Sequence, residues 1–280
     1  MTAPVVEMPS GKDAAYENFP VGSWLLPAHL RPHIAIFYAF ARAIDDVADS
    51  AELSVDEKVR RLDGFEAALL GGNDVDGYDK AVHMAESLSA TGVTTQHCLD
   101  LLAAFKQDAV KNRYDDFDDL IAYCRLSAAP VGRYLLDLHG GSDLGYGPSD
   151  ALCNALQVIN HLQDCQDDYR TLDRVYLPGD WMSSAGVDVS DLDAASASPG
   201  LRIVLDKSLA ATKELLVEAH KLPGALASKR LALESAVIID IADSLVRRLA
   251  SGDPLASRIK LSKPAVMMSG LRGVVRGILA

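Results

Sequence analysis

From His33 to Asp49 the chain reads HIAIFYAFARAIDDVAD, a run without Gly or Pro that is apolar on almost every side until its aspartates arrive. A helix with that pattern is buried all round rather than laid on a surface. Pro32 suits its first turn, where a missing N–H costs nothing. Such a segment needs other elements wrapped around it, and the rest of the chain supplies them. Helical patterning recurs at about 54–70, 79–90, 94–112, 117–138, 149–170, 201–220 and 228–250, with Gly71-Gly72 closing the first of these. Strict apolar/polar alternation between turn signals is missing, so no strand is expected. The longest break, 179–200, reads as a lid or a surface excursion. With no repeat and no linker between two compositions, the expectation is one all-α domain over 19–263. A loose arm carrying Pro4, Pro9 and Gly11 precedes it (1–18), and a basic amphipathic tail follows (264–280).

A net charge of −12 excludes a general nucleic-acid binder, since no strongly basic domain balances it. Cys98, Cys124, Cys153 and Cys165 form no CxxC pair, so free thiols in a reducing cytoplasm are expected. The first residues lack a basic start followed by an apolar stretch, and no window offers about 20 uninterrupted apolar residues. Neither a signal peptide nor a membrane-spanning helix is expected. GxGxxG and GxxxxGK[ST] are both missing.

Two acidic motifs carry the chemistry. DDVAD holds Asp45, Asp46 and Asp49, and VINHLQDCQDDYR holds Asn160, Asp164, Asp167 and Asp168. The pairs Asp45/Asp49 and Asp164/Asp168 are spaced i,i+4, so each projects two carboxylates from one helix face about a turn apart. Like charges at that spacing repel, and on helices this apolar they are costly unless a cation neutralises them. Mg²⁺ meets that need: it takes oxygen ligands and is commonly held by one or two carboxylates plus substrate phosphates. Two such faces opposed across a bundle would clamp a diphosphate and stabilise it as it departs. The chain contains its own control. Asp115, Asp116, Asp118 and Asp119 have similar spacing, but they sit where a helix begins, where carboxylates cap free N–H groups. Those are read as structural.

At these residues the chain resembles the squalene/phytoene synthase family of head-to-head prenyl-condensing enzymes. Tyr38, Arg42, Asp45, Asp46 and Asp49 match its first motif. Tyr123, Cys124, Val131 and Gly132 resemble its YC…VG helix, and Gln157, Asn160, Asp164 and Asp168 its second motif. RVYLP, Arg174 to Pro178, resembles the segment that follows. The matched blocks fall in the right order from roughly Phe19 to Lys263. The resemblance implies an isoprenoid-synthase helical bundle around a central apolar cavity. It implies Asp45, Asp49, Asn160, Asp164 and Asp168 as Mg²⁺ ligands, Tyr123 as a catalytic residue, and Tyr38, Arg42, Gln157, Asn160 and Arg174 as substrate contacts; Ser127, where the chain departs from the family's pattern, is added to the substrate contacts on its own account.

The departures matter as well. Gln163 stands where most members have Arg, and Asp167 where they have Glu. The YC segment reads YCRLSAAPVGRY, with Ser127 and Pro130 in place of an apolar-Ala-Gly run. Together with ENFPVGS and DPLASRIKLS, these features resemble a bacterial subfamily of hopanoid biosynthesis. What that implies is ionisation of presqualene diphosphate, rearrangement, and capture of the product cation by water as hydroxysqualene. The neutral Gln163 bears on whether the chain also performs the preceding condensation. Alternatives are a sister synthase making presqualene diphosphate, squalene or a carotenoid precursor, or a non-catalytic assembly factor of this fold. Lys111, Arg113 and Arg170 divide between diphosphate contact and the ordinary surface. Phe37, Phe40, Tyr134 and His161 default to packing. From Leu245 to Ala280 there are seven Arg or Lys against one Asp. This stretch could lie on the inner membrane or contact neighbouring pathway enzymes, or pack as a last helix; a water-insoluble C30 substrate favours the membrane slightly.

Overall fold

Ser54, Asp116, Ser198 and Ser228 each accept a hydrogen bond from the backbone N–H three residues on, and each opens a helix. The structure, a computed structural model, describes residues 25–72, 76–141 and 143–262, together with positions 6, 264, 265 and 269. The expected arm, apart from position 6, and most of the expected tail lie outside the described residues. The described helices are α1 (Arg31–Asp49), α2 (Val55–Leu69), α3 (Asp79–Thr91), α4 (Gln96–Asp108), α5 (Phe117–Ser127), α6 (Ala129–Leu138), α7 (Tyr146–Leu172), α8 (Gly179–Ser184), α9 (Pro199–Ala219), α10 (Leu222–Ala225) and α11 (Lys229–Ser251). Among the described residues there is no strand, only one bridge between Arg113 and Val175. No described helix is long and apolar enough to cross a membrane.

Two differences from expectation have local causes. The single helix expected over 117–138 is two, meeting at Ala128, which ends α5 and precedes α6. Pro130, in the first turn of α6, has no N–H to give to the carbonyl four residues back. The expected break at 179–200 is ordered. Asp188 and Asp191 form a capping box around the 3₁₀ turn Val189–Asp193. Leu192 and Met182 are buried, and Gln166 donates to the carbonyls of Leu192 and Ala194. This stretch is pinned to α7 and is not a loose lid.

Packing divides the interior into two hydrophobic clusters. One joins α1 to α4 with Tyr134, Leu136 and Leu138 of α6; the other joins α5, α7, α9 and α11. Burying Phe40 completely contributes about 1.5–3 kcal/mol. That exceeds the few tenths of a kcal/mol by which most residues differ in helix propensity. Burial therefore decides which face of α1 points inward. The helix α7 packs on α5, α6, α9 and α11, and Gly132 sets its approach to α6. A Cβ at that position would stand 2.3 Å from Ser149 Oγ and 2.7 Å from Cys153 Sγ.

Candidate active site

A cavity of about 420 Å³ opens between α1, α5, α6, α7 and α11, lined by residues of both clusters. The helix α1 presents Tyr38, Arg42, Asp45 and Asp49 to it, at steps of four, three and four residues, which is one stripe of a 3.6-residue helix. The helix α7 presents Gln157, Asn160, Asp164 and Asp168 by the same periodicity. Tyr123 and Ser127 come from successive turns of α5, and Arg174 from the turn after α7. All eleven residues singled out in the sequence therefore share one cavity. Asp46 and Asp167, one position off each stripe, do not line it. Nor do Lys111, Arg113 and Arg170, which pair at the surface with Asp119, Asp173 and Asp193.

The lining grades along both helices. Ile34 and Phe37 give way to Arg42, Asp45 and Asp49 on α1, and Leu152 and Leu156 give way to Asp164 and Asp168 on α7. The two acidic ends meet because Arg174, just beyond α7, donates to Asp49 at the end of α1 at 2.5 Å. The same guanidinium donates to the carbonyls of Ala48 and Asp108, both at 3.1 Å. Lys58 Nζ also donates to the Ala48 carbonyl at 2.8 Å. Arg42 pairs with Asp45 at 2.7 Å and Arg258 with Asp164 at 2.9 Å. Burial pushes the Asp45 carboxyl well above the usual carboxylate range, and neighbouring Asp49 adds to it while Arg42 opposes.

Sequence reasoning missed a buried polar group behind Tyr123. Asp108, the last residue of α4, is 4% exposed and lines the cavity. It accepts from Tyr123 Oη at 2.7 Å, and Tyr176 Oη lies at 3.5 Å. Burial raises its carboxyl to about 6, opposed by Arg174 and the Tyr123 hydroxyl. Its only sequence signal was a carboxylate at a helix C-terminus, where the dipole disfavours it. His161 does pack, as expected, stacking on Tyr176 with ring centroids 3.5 Å apart, yet it also lines the cavity. Burial lowers it to about 3, with Arg174 adding to the effect, so it is neutral. Phe37 likewise does both, stacked on Tyr134 and lining the cavity, whereas Phe40 packs against Phe65. Gln163 turns away from the cavity: it is 4% exposed and its side-chain amide donates to the carbonyl of Ile259. The missing charge at 163 is therefore not missing from the cavity wall, and the guanidinium beside Asp164 is that of Arg258.

The five candidate ligands named from the sequence are all oxygen donors: four carboxylates and the Asn160 amide. No three His, Cys, Asp or Glu among the described residues are gathered closely enough to hold a metal by themselves. Oxygen donors of this kind are what a hard divalent ion takes, one or two carboxylates with water and phosphate in its other positions. The set does not fit a closed structural site.

The profile described as squalene/phytoene synthase matches residues 13–265. A hydroxysqualene synthase of Rhodopseudomonas palustris is 46% identical over 255 residues, 91% of this chain and 87% of that protein. One from Sinorhizobium fredii is 44% identical over 259 residues, again 91% and 87%. The crystal structure of squalene synthase HpnC from Alicyclobacillus acidocaldarius superposes with a TM-score of 0.71 at 30% identity, covering 83% of this chain and 88% of that one. With the profile running through every helix described above, the chain belongs to the squalene/phytoene synthase family and is an isoprenoid-synthase enzyme.

Proposed function

We propose that the protein ionises presqualene diphosphate and that water captures the rearranged cation, giving hydroxysqualene and diphosphate. The observation that carries this reading is the graded cavity, apolar along the first halves of α1 and α7 and acidic where their C-terminal ends meet. The names of the relatives at 43–46% identity support the same product. Mg²⁺, held by Asp45, Asp49, Asn160, Asp164 and Asp168, would supply the Lewis acidity that stabilises diphosphate as it leaves. Arg42 and Arg174 are the cavity's guanidiniums, suited to charge-assisted hydrogen bonds with phosphate oxygens. Tyr38 and Gln157 lie on the same stripes and orient the diphosphate end. Tyr123 offers its ring face to a developing cation, while Asp108 holds its hydroxyl.

Ser127 bears on the final step. Its Oγ is buried and has no hydrogen-bond partner among the described residues. It lines the cavity at the α5–α6 break, one turn beyond Tyr123. An unsatisfied hydroxyl in that position costs about 1–3 kcal/mol, which a hydrogen-bonded water offsets. The reading therefore seats the capturing water at Ser127.

The test is product analysis in ¹⁸O-labelled water with Mg²⁺, with and without NADPH. Presqualene diphosphate is expected to give a labelled C30 alcohol, and farnesyl diphosphate supplied alone to give little C30 product. The Ser127→Ala variant should yield less labelled alcohol per diphosphate released. A hydrocarbon formed with NADPH, an unlabelled alcohol, or efficient conversion of farnesyl diphosphate would each overturn the assignment and favour a sister synthase.

A further inference from the structure

The segment DPLASRIKLS has no part in the chemistry above, yet it is tied down at every few residues. Asp253 accepts the N–H of Ala197 at 2.8 Å and that of Leu255 at 2.9 Å. Arg202 donates to the Gly252 carbonyl at 2.9 Å, and Arg248 to that of Lys260 at 3.0 Å. The segment thus leaves α11 as a fastened strap and returns to α7. There it meets the second aspartate motif at two adjacent points. Gln163 donates to the carbonyl of Ile259, and Arg258 Nη2 donates to one Asp164 carboxylate oxygen at 2.9 Å, with Nε at ion-pair distance, 2.9 Å, from the other. Consecutive residues of α7 hold consecutive residues of the strap. Asp164 lines the cavity, whereas Gln163 and Arg258 do not, so both stand behind the carboxylate.

We infer that Gln163 is a positioning residue: by holding the Ile259 carbonyl it fixes the Arg258 guanidinium, and through it the orientation of the Asp164 carboxylate toward the cavity. The inference rests on the reading of Asp164 as a ligand of the Mg²⁺–diphosphate. A charge-assisted hydrogen bond to one carboxylate oxygen, with the guanidinium close to the other, favours one orientation of the carboxylate as well as its charge. Partners that stand behind a ligand in this way govern its affinity for the ion. Gln suits the position because a neutral donor satisfies a carbonyl without competing with Arg258 for Asp164.

Calorimetric binding of inorganic diphosphate in excess Mg²⁺ tests this, using the wild type, Gln163→Met, Arg258→Gln and the double variant. Met matches Gln in length and lacks the donor. Gln163→Met is expected to weaken binding by about tenfold, within the usual range for partners behind a ligand. Because Gln163 acts through Arg258, the double variant should bind no more weakly than Arg258→Gln. Equal weakening by Gln163→Met in both backgrounds, or none in either, overturns the inference. Should Gln163→Met not fold, Gln163→Glu, whose carboxylate cannot donate to Ile259, takes its place with the same expectations. If the wild type binds no Mg²⁺–diphosphate, the ligand reading of Asp164 falls. Amide exchange over 252–262 then decides separately whether Gln163 holds the strap. About tenfold faster exchange in the variant supports it, and unchanged exchange ends it.

Discussion

Asp108 sits on the line between an acid and its anion because burial and hydrogen bonding pull it in opposite directions. Its carboxyl stands at about 6 in the fold against an ordinary 3.8, so the native state binds its proton more tightly than the unfolded chain does. The stability from this group is fully present below about pH 4 and is lost as the pH rises through 6. Relative to Asp108→Asn, the wild type should lose on the order of 2–3 kcal/mol between pH 4 and pH 8. Urea unfolding of both proteins across that range measures it. Subtracting one curve from the other removes the opposite contribution of His161, whose depressed value applies to both. A difference independent of pH would mean that folding leaves the Asp108 carboxyl at its ordinary value.

At the level of elements, the contact between α6 and α7 turns on one missing methyl group. An alanine at 132 would gain about 1 kcal/mol of helix propensity over glycine. Its Cβ would also meet Ser149 Oγ at 2.3 Å and Cys153 Sγ at 2.7 Å, and overpacking of that kind costs about 1–3 kcal/mol. The clash wins. Gly132→Ala should lower stability by up to about 2 kcal/mol in denaturant unfolding, and adding Ser149→Ala should return part of the loss. A stabilised Gly132→Ala would show that the two helices can slide apart freely. The α5–α6 break is the other element-scale feature, and there Pro130 places a buried Ser127 hydroxyl at the cavity instead of a continuous helical wall.

Across the whole molecule, the acidic ends of α1 and α7 belong to different hydrophobic clusters and are joined at the cavity by Arg174 and Asp49. A ligand that bridges them should stabilise the assembly beyond either half. A ligand at a hundred times its Kd adds about 2.7 kcal/mol, which for a domain of this size is about 5 °C or more in Tm. Mg²⁺ with inorganic diphosphate should produce that rise, and neither should do so alone. In Asp45→Ala and Asp164→Ala the rise should vanish along with diphosphate release, while circular dichroism keeps its helical signal. Asp45→Ala should melt at or above the ligand-free wild type, since it removes a half-buried carboxylate repelled by Asp49. Retention of the shift in either variant would remove that carboxylate from the binding site.

The helices and the acidic stripes were legible in the sequence because the forces that set them act over three or four residues. Helical periodicity put Asp45 and Asp49 on one face with Tyr38 and Arg42. Capping carboxylates marked where α5 begins, and the spacing alone separated Asp45 and Asp49 from Asp46. What no local pattern could decide was which ends of the buried helices meet. That depended on Arg174 reaching Asp49 across 125 positions, and on the strap bringing Arg258 to Asp164 across 94. Asp108 became a partner of Tyr123 only once α4 and α5 packed. Gln163 turned from the cavity only because the strap lay behind it. Such contacts are chosen by the burial of two whole clusters against each other, and that choice leaves no trace within a helical turn of the sequence.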